Sequence, residues 1–165
     1  IYSLAVQNSS QTSYCIEKLA HILDYLLYRC NDKFVPLEKE IELLKNYLDL
    51  QKIRFGERLV VRADYNTDHS SKIAPLLLLP LVENMFKHGV EQNTGKTDVV
   101  ISLECFKDSL IFRTENLYDA GTTASPGIGL QNLKRQLELL YPGKHSFTIT
   151  KANQFFKTNL QLSLT

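Results

Sequence analysis

Apolar positions in the first third of the chain recur at helical spacing. Ile16, Leu19, Ala20, Leu23, Leu26, Leu27 and Cys30 fall at intervals of three and four, which predicts one amphipathic helix from Ile1 to about Asn31. Asn31-Asp32 ends it, and Val35-Pro36 opens a second helix with proline at a permitted first-turn position. Leu37, Ile41, Leu44, Leu48 and Phe55 mark the second apolar face, and Gly56 stops it. Two such helices joined by a short loop form an antiparallel hairpin that leaves apolar surface to be covered. They are either core helices of one globule or a dimerisation element packing on a second copy. The second is the expectation here, because the rest of the chain reads as a complete globular unit.

From Glu57 onward the period changes. Leu59, Val61, Ala63 and Tyr65 alternate with polar residues and predict a strand; a buried helix comes next, around Pro75–Gly89. Val99, Ile101, Leu103 and Cys105 then alternate, Lys107-Asp108-Ser109 turns, and Leu110, Phe112 and Thr114 alternate again, which predicts a hairpin. Turn formers from Tyr118 to Pro126 precede a helix carrying Leu130, Leu133, Leu137 and Leu140, closed by Tyr141-Pro142-Gly143. Two last strands run from Ser146 to Lys151 and from Phe156 to Leu164. The order β, α, β-β, α, β-β predicts an α+β fold: a two-layer sandwich of a mixed, mostly antiparallel sheet with helices on one face, preceded by an α-helical hairpin. The expected division is residues 1–56 and 57–165.

Composition narrows the function classes. The 165 residues are 44% apolar, enough for one full core. With 19 Lys+Arg against 18 Asp+Glu, a formal charge of +1 leaves no electrostatic footprint for nucleic acid or an anionic membrane. Cys15, Cys30 and Cys105 are odd in number and widely spaced, which suggests neither a disulfide framework nor a zinc site, and so a reduced, cytosolic chain. No segment reads as a signal sequence or membrane span. The first residue is Ile1 rather than Met, so the expectation is a piece of a longer protein.

The candidate chemistry lies at the end of the buried helix. Its apolar run, Leu76 to Val82, is far short of the roughly 20 residues a bilayer span needs, and Pro80 interrupts it. Beyond it Asn84, Lys87 and His88 stand at i, i+3 and i+4, placing an amide, an ammonium and an imidazole on one face beside Glu83. One reading is a solvated helix terminus, with Lys87 and His88 at the negative end of the dipole and Gly89 as C-cap. The other is a magnesium-nucleotide site, with the Asn84 amide on a hard cation and Lys87 and His88 on phosphate oxygens. A second segment favours the nucleotide: Ser125-Pro126-Gly127-Ile128-Gly129-Leu130 opens the next helix. Two alternating glycines there let backbone approach a ligand, while free N–H groups and the positive dipole end attract phosphate.

These residues carry a resemblance. Pro80-Leu81-Val82-Glu83-Asn84-Met85-Phe86-Lys87-His88-Gly89 resembles the N box of the GHKL, or Bergerat, ATP-binding fold, and Gly127-Ile128-Gly129-Leu130-Gln131-Asn132-Leu133 resembles its second glycine box. With Pro36-Leu37-Glu38-Lys39-Glu40-Ile41, Tyr47 to Phe55 and Arg135 to Pro142, the chain resembles the kinase core of bacterial sensor histidine kinases of the LytS-like class over nearly all its length.

The resemblance implies ATP and Mg²⁺ as cofactors and transfer of the γ-phosphoryl to a histidine, with relay to a response regulator. Asn84 would hold Mg²⁺, Glu83 would act as base or orienting group, and Lys87 and His88 would meet phosphates. Gly127, Gly129 and Leu130 would belong to the lid over the nucleotide. It also implies a homodimer through the N-terminal helices and a cytoplasmic portion of an inner-membrane-anchored protein.

The sequence departs from the pattern in two places. Where the family has an Asp-x-Gly-x-Gly first glycine box for adenine, this chain reads Arg113-Thr114-Glu115-Asn116-Leu117-Tyr118, leaving Glu115 or Asn116 for that role. The substrate histidine of the class lies upstream of the segment that Ile1-Tyr2-Ser3-Leu4 resembles. His21 lacks the flanking residues the family uses, and reads as a surface or interface histidine. Two alternatives are a degenerate GHKL domain acting as a non-catalytic dimerisation and partner-binding module, and a clamp-type GHKL ATPase.

Overall fold

The computed structural model describes residues 10–29, 32–67, 71–93, 95–117 and 128–164. Helix α1 runs Gln11–Asp24 and continues as a π-helical turn, Tyr25–Arg29. It packs antiparallel on α2, Leu37–Phe55, with Tyr14 donating to Asp49 at 2.8 Å and Lys18 to Asn46 at 3.1 Å. Helix α2 follows the amphipathic rules: Pro36 precedes it, Glu38 and Glu40 lie in its first turn, Lys52 and Arg54 in its last. Gly56, at φ 58°, ends it in a conformation that a side chain rarely allows.

The apolar stripe predicted for the first helix divides in the structure. Cys15, Ile22 and Tyr25 are buried, whereas Ile16, Leu19, Leu23, Leu26 and Leu27 remain exposed, Leu27 at 63%. The face toward α2 is therefore narrower than the sequence pattern suggested, and a second apolar face looks outward.

Helix α2 shares one buried cluster with the sheet: Leu37, Ile41, Leu43, Leu44 and Leu48 join Leu81, Val82, Phe86, Ile101, Leu103 and Phe112. Burying each such leucine stabilises the fold by about 1.5–3 kcal/mol. Helix α2 is thus packed as a core element of the same globule.

In chain order the strands are β1 Val35–Pro36, β2 Leu59–Thr67, β3 Lys72–Ile73, β4 Thr97–Phe106, β5 Ser109–Leu117, β6 His145–Ala152 and β7 Phe155–Ser163. Five of them form the main sheet, in the order β2-β4-β5-β7-β6. Strands β2 and β4 pair in parallel and the other neighbours pair antiparallel. The parallel pair needs a crossover, and the helix α3, Leu79–Met85, lies within it. Helix α4, Ile128–Leu140, covers the same face through Leu130, Leu133 and Leu137. The expected mixed sheet with helices on one side, preceded by a helical hairpin, is the architecture found.

The sequence pattern does not announce the small antiparallel pair of β1 with β3, which ties the start of α2 to the segment entering α3. Each strand is two residues long, too short to show a period of two.

Register fixes what each face of the sheet offers. Val99, Asn116 and Phe156 form one row on the helix-covered face, Val100, Glu115 and Lys157 the next row on the open face. Successive side chains on a strand point to opposite sides, so Glu115 and Asn116 cannot serve the same site.

Candidate functional site

The site grows from α3 and the π-helical turn that continues it, Phe86–Val90. Pro80 sits in the first turn, where its missing N–H costs nothing. Phe86 is buried and anchors the turn against α2, stacking on Phe55 with ring centroids 6.2 Å apart and meeting Tyr47 edge-on at 5.8 Å. A π-turn inside a helix is frequent where side chains must be re-aimed at a functional site.

Gly89 decides the approach of this turn to the sheet. A Cβ there would lie 2.2 Å from Asn116 Nδ2 and 2.7 Å from its Cγ, distances no side chain tolerates. Glycine lets the backbone of the turn rest on the Asn116 amide. Asn116 is 1% exposed, its Nδ2 donates to the Leu117 carbonyl at 2.8 Å, and its Oδ1 is buried without a hydrogen-bond partner. Asn84 is half-buried, and its Nδ2 is likewise buried without a partner. Leaving a buried polar atom unpaired costs about 1–3 kcal/mol, so two of them on elements in contact call for a ligand.

The other predicted residues divide. Glu83 and Lys87 are exposed and His88 half-buried beside them. Glu83 keeps contact with solvent, yet partial desolvation by the surrounding protein raises its carboxyl from the ordinary value. Burial first, then the charges of Lys87 and Lys151, lower the His88 imidazole from its ordinary value, which favours the uncharged ring. Its Nδ1 lies 3.5 Å from Gln92 Nε2.

Glu115 is not brought to this site: it faces the open side of the sheet and pairs with Lys157 at 2.6 Å. Gly129 is exposed in the first turn of α4, where a Cβ would meet nothing within 4 Å. Leu130 is 2% exposed in the core, so its side chain packs inward and only its backbone remains to face a ligand. Gly127 lies outside the described residues. His21 is exposed, 3.8 Å from Glu17 on its own helix.

Two residues join the site that sequence patterns did not single out. Tyr47 on α2 has its hydroxyl pushed up to about 12, by burial first and then by the Glu83 charge, so the phenol stands near that carboxylate. Tyr47 with Gln51, at i and i+4 on α2, was the available signal. Lys151, at the end of β6, acts on His88 across the fold; nothing local in the sequence announces that.

Relatives of known kind match the chain. A family model described as histidine kinase matches residues 1–59. Sensor histidine kinase YpdA of Escherichia coli K12 is 30% identical over 141 residues, 76% of this chain and 24% of that protein. Sensor protein LytS of Oceanobacillus iheyensis is 30% identical over 106 residues, 62% of this chain and 18% of that protein. The chain thus spans about a quarter or less of the curated relatives it matches. Among solved structures, histidine kinase ThkA in complex with response regulator protein TrrA superposes with a TM-score of 0.56 at 11% identity, over 93% of this chain and 49% of that one. At that identity the likeness speaks to the fold alone. The family match, the curated sensor kinases and the shared sheet agree, and the chain belongs to the sensor histidine kinases of the LytS-like class, with the fold of their catalytic domain.

Proposed function

We propose that this chain is the nucleotide-binding kinase core of a two-component sensor, holding Mg-ATP between the α3 turn and the Asn116 end of β5. The observation that carries this reading is the pair of buried, unpartnered amide atoms, on Asn84 and Asn116, on elements that Gly89 brings into contact. The residues present fit the cofactor. Mg²⁺ takes oxygen ligands and keeps several for phosphate and water, so the Asn84 Oδ1 would suffice, while the unpartnered Asn84 Nδ2 would donate to a phosphate oxygen.

Asn116 takes the adenine role in preference to Glu115. Its Nδ2 is committed to the Leu117 carbonyl, which leaves Oδ1 to accept from an amino group. Asn84 would hold the metal, and Lys87 would meet phosphate oxygens as a point charge. His88 starts uncharged and would take up a proton as phosphate arrives. With Mg²⁺ held at Asn84, the charge on the transferred phosphoryl would be shielded. Glu83, its carboxyl raised by partial desolvation, would orient the attacking histidine nitrogen and accept its proton. The bond between phosphorus and the ADP oxygen breaks, and one to the histidine nitrogen forms.

The acceptor histidine belongs to a segment outside these 165 residues, in the same reading, and the phosphoryl passes from it to a response regulator. In this reading residues 1–56 carry the dimerisation surface on α1, and 57–165 form the nucleotide-binding part, into whose core α2 also packs. The outward stripe Ile16, Leu19, Leu23 and Leu26, at alternating intervals of three and four, is the seam expected for a second copy. Among the described residues no helix is long and apolar enough to cross a membrane. The reading places this chain on the cytoplasmic side of an anchored bacterial sensor.

Calorimetric titration with a non-hydrolysable ATP analogue, with and without Mg²⁺ and beside Asn84→Ala, tests it. Binding between about −8 and −4 kcal/mol that requires both Mg²⁺ and Asn84 is expected. No heat at millimolar nucleotide overturns the catalytic reading and leaves a partner-binding module.

A further inference from the structure

Glu40 has no part in the phosphoryl-transfer chemistry, yet it is 0% exposed in the middle of the core. Acidic side chains are almost never buried so completely without a set of partners. Here the partners come from two segments outside its own helix. Glu40 stands in the first turn of α2, and its Oε1 accepts from the Tyr25 hydroxyl of the α1 π-turn and from the Leu76 N–H at 2.8 Å. The N–H groups of Leu77 and Leu78 also point toward the carboxyl, although its Oε2 is buried without a hydrogen-bond partner.

Those three leucines are the last residues before α3, the helix that presents Glu83 and Asn84. Leu76 has φ 59°, a left-handed conformation unusual for a branched side chain and retained only where the surroundings impose it. The Glu40 bond to its N–H is one constraint. A second lies on the other side of the loop, where the Tyr141 hydroxyl at the end of α4 accepts from Ala74 N–H at 2.9 Å. The next bonds, Leu81 N–H and Val82 N–H to the Leu78 carbonyl at 3.2 and 3.4 Å, start α3 itself.

On the other side of Glu40, Tyr25 is the first residue of the π-turn where the regular register of α1 changes. A π-turn and an α-turn are two arrangements that differ by one residue of register. Only one of them need deliver the Tyr25 hydroxyl to Glu40. A stem register and the setting of the active-site helix therefore meet on a single carboxylate in a low-dielectric core, where loss of one donor is felt by the others.

We propose that Glu40 is a positioning residue which, through the Tyr25 hydroxyl, couples the register of the N-terminal stem to the placement of the helix carrying Glu83 and Asn84. The proposal rests on the nucleotide reading for what those two residues do, and not for the mechanical link itself. Burial raises the Glu40 carboxyl, and its hydrogen-bond donors pull it down by less.

Tyr25→Phe tests the link, since it keeps the buried ring and removes only the hydroxyl. Amide hydrogen exchange of the 165-residue chain should accelerate by about tenfold at residues 76–82, with β4 and β5 unchanged, as expected of a local opening. Affinity for a non-hydrolysable ATP analogue with Mg²⁺ should fall about fivefold or more, the lower end of ordinary couplings between sites. Glu40→Gln should act in the same direction, and the double variant should be no weaker than the weaker single one, because both act through one contact. Unchanged exchange at 76–82 in Tyr25→Phe overturns the proposal, as does acceleration spread equally over β4 and β5. If the unaltered chain binds no nucleotide, the functional reading fails and the exchange result alone decides the coupling. If Glu40→Gln does not fold, Tyr25→Phe still decides the question.

Discussion

Replacing Gly89 by alanine adds a methyl group that must share space with Asn116, 2.2 Å from Nδ2, 2.7 Å from Cγ and 3.0 Å from Cβ. Asn116 is buried and tied to the Leu117 carbonyl, so it cannot swing clear without losing that bond. Overpacking of this kind costs about 1–3 kcal/mol, and contacts this short belong in the upper part of that range. Against it stands the gain of about 1 kcal/mol that alanine brings over glycine in a helical turn. The net expectation for Gly89→Ala is a loss of about 1–2 kcal/mol in urea unfolding, with nucleotide affinity reduced about tenfold as Asn116 is displaced. In an Asn116→Ala background the Nδ2 and Cγ contacts are gone and only the 3.0 Å approach to Cβ remains. There Gly89→Ala should be close to neutral. The double-mutant cycle should therefore show a coupling of about 1–2 kcal/mol, large for two side chains that form no bond. A coupling below about 0.5 kcal/mol, near the additivity error, would refute the account of Gly89 as the residue that seats the turn on Asn116.

The remaining predictions concern the rest of the site and the core. Glu115→Ala should leave nucleotide affinity within about twofold and stability within about 1 kcal/mol, because its partner Lys157 is an exposed surface pair; a tenfold loss of affinity would restore Glu115 to the adenine role. His88 is held below its unfolded value, so the stability it contributes is complete above the unfolded pKa and lost as pH falls through it toward the folded pKa. The difference between wild type and His88→Gln should show that slope, and NMR titration should find the imidazole pKa raised when the Mg-nucleotide analogue binds. Leu44→Ala, at a fully buried position of α2, should cost about 2–5 kcal/mol in chemical denaturation, whereas a loss near zero would mean that α2 is peripheral to the core. Leu19→Asp with Leu23→Asp should convert a dimer to a monomer in sedimentation equilibrium, and a monomeric unaltered chain would sink the proposed seam.

Features that depend on period and on local chemistry were legible in the chain. Alternation in Val99, Ile101, Leu103 and Cys105 and in Leu110, Phe112 and Thr114 marks a half-buried hairpin, because a pleated strand sends every second side chain to the core. Spacings of three and four mark the helices, and Asn84, Lys87 and His88 share a face by helical geometry alone. Features that depend on register and on distance across the fold were not legible. Glu115 and Asn116 are neighbours in the chain and equal as candidates on paper. The pairing of Val99 with Asn116 and of Glu115 with Lys157 sends one toward the helices and the other to the open face. The same holds for the first helix, whose apolar residues form one pattern in sequence but two faces in space, since α2 is only wide enough to cover Cys15, Ile22 and Tyr25. Tyr47 beside Glu83, Lys151 near His88 and Glu40 under Leu76 are separated by tens of residues. Only the packing of α2 and the sheet against the α3 turn brings such groups together, because burial and Coulomb interaction act through space and take no account of chain order.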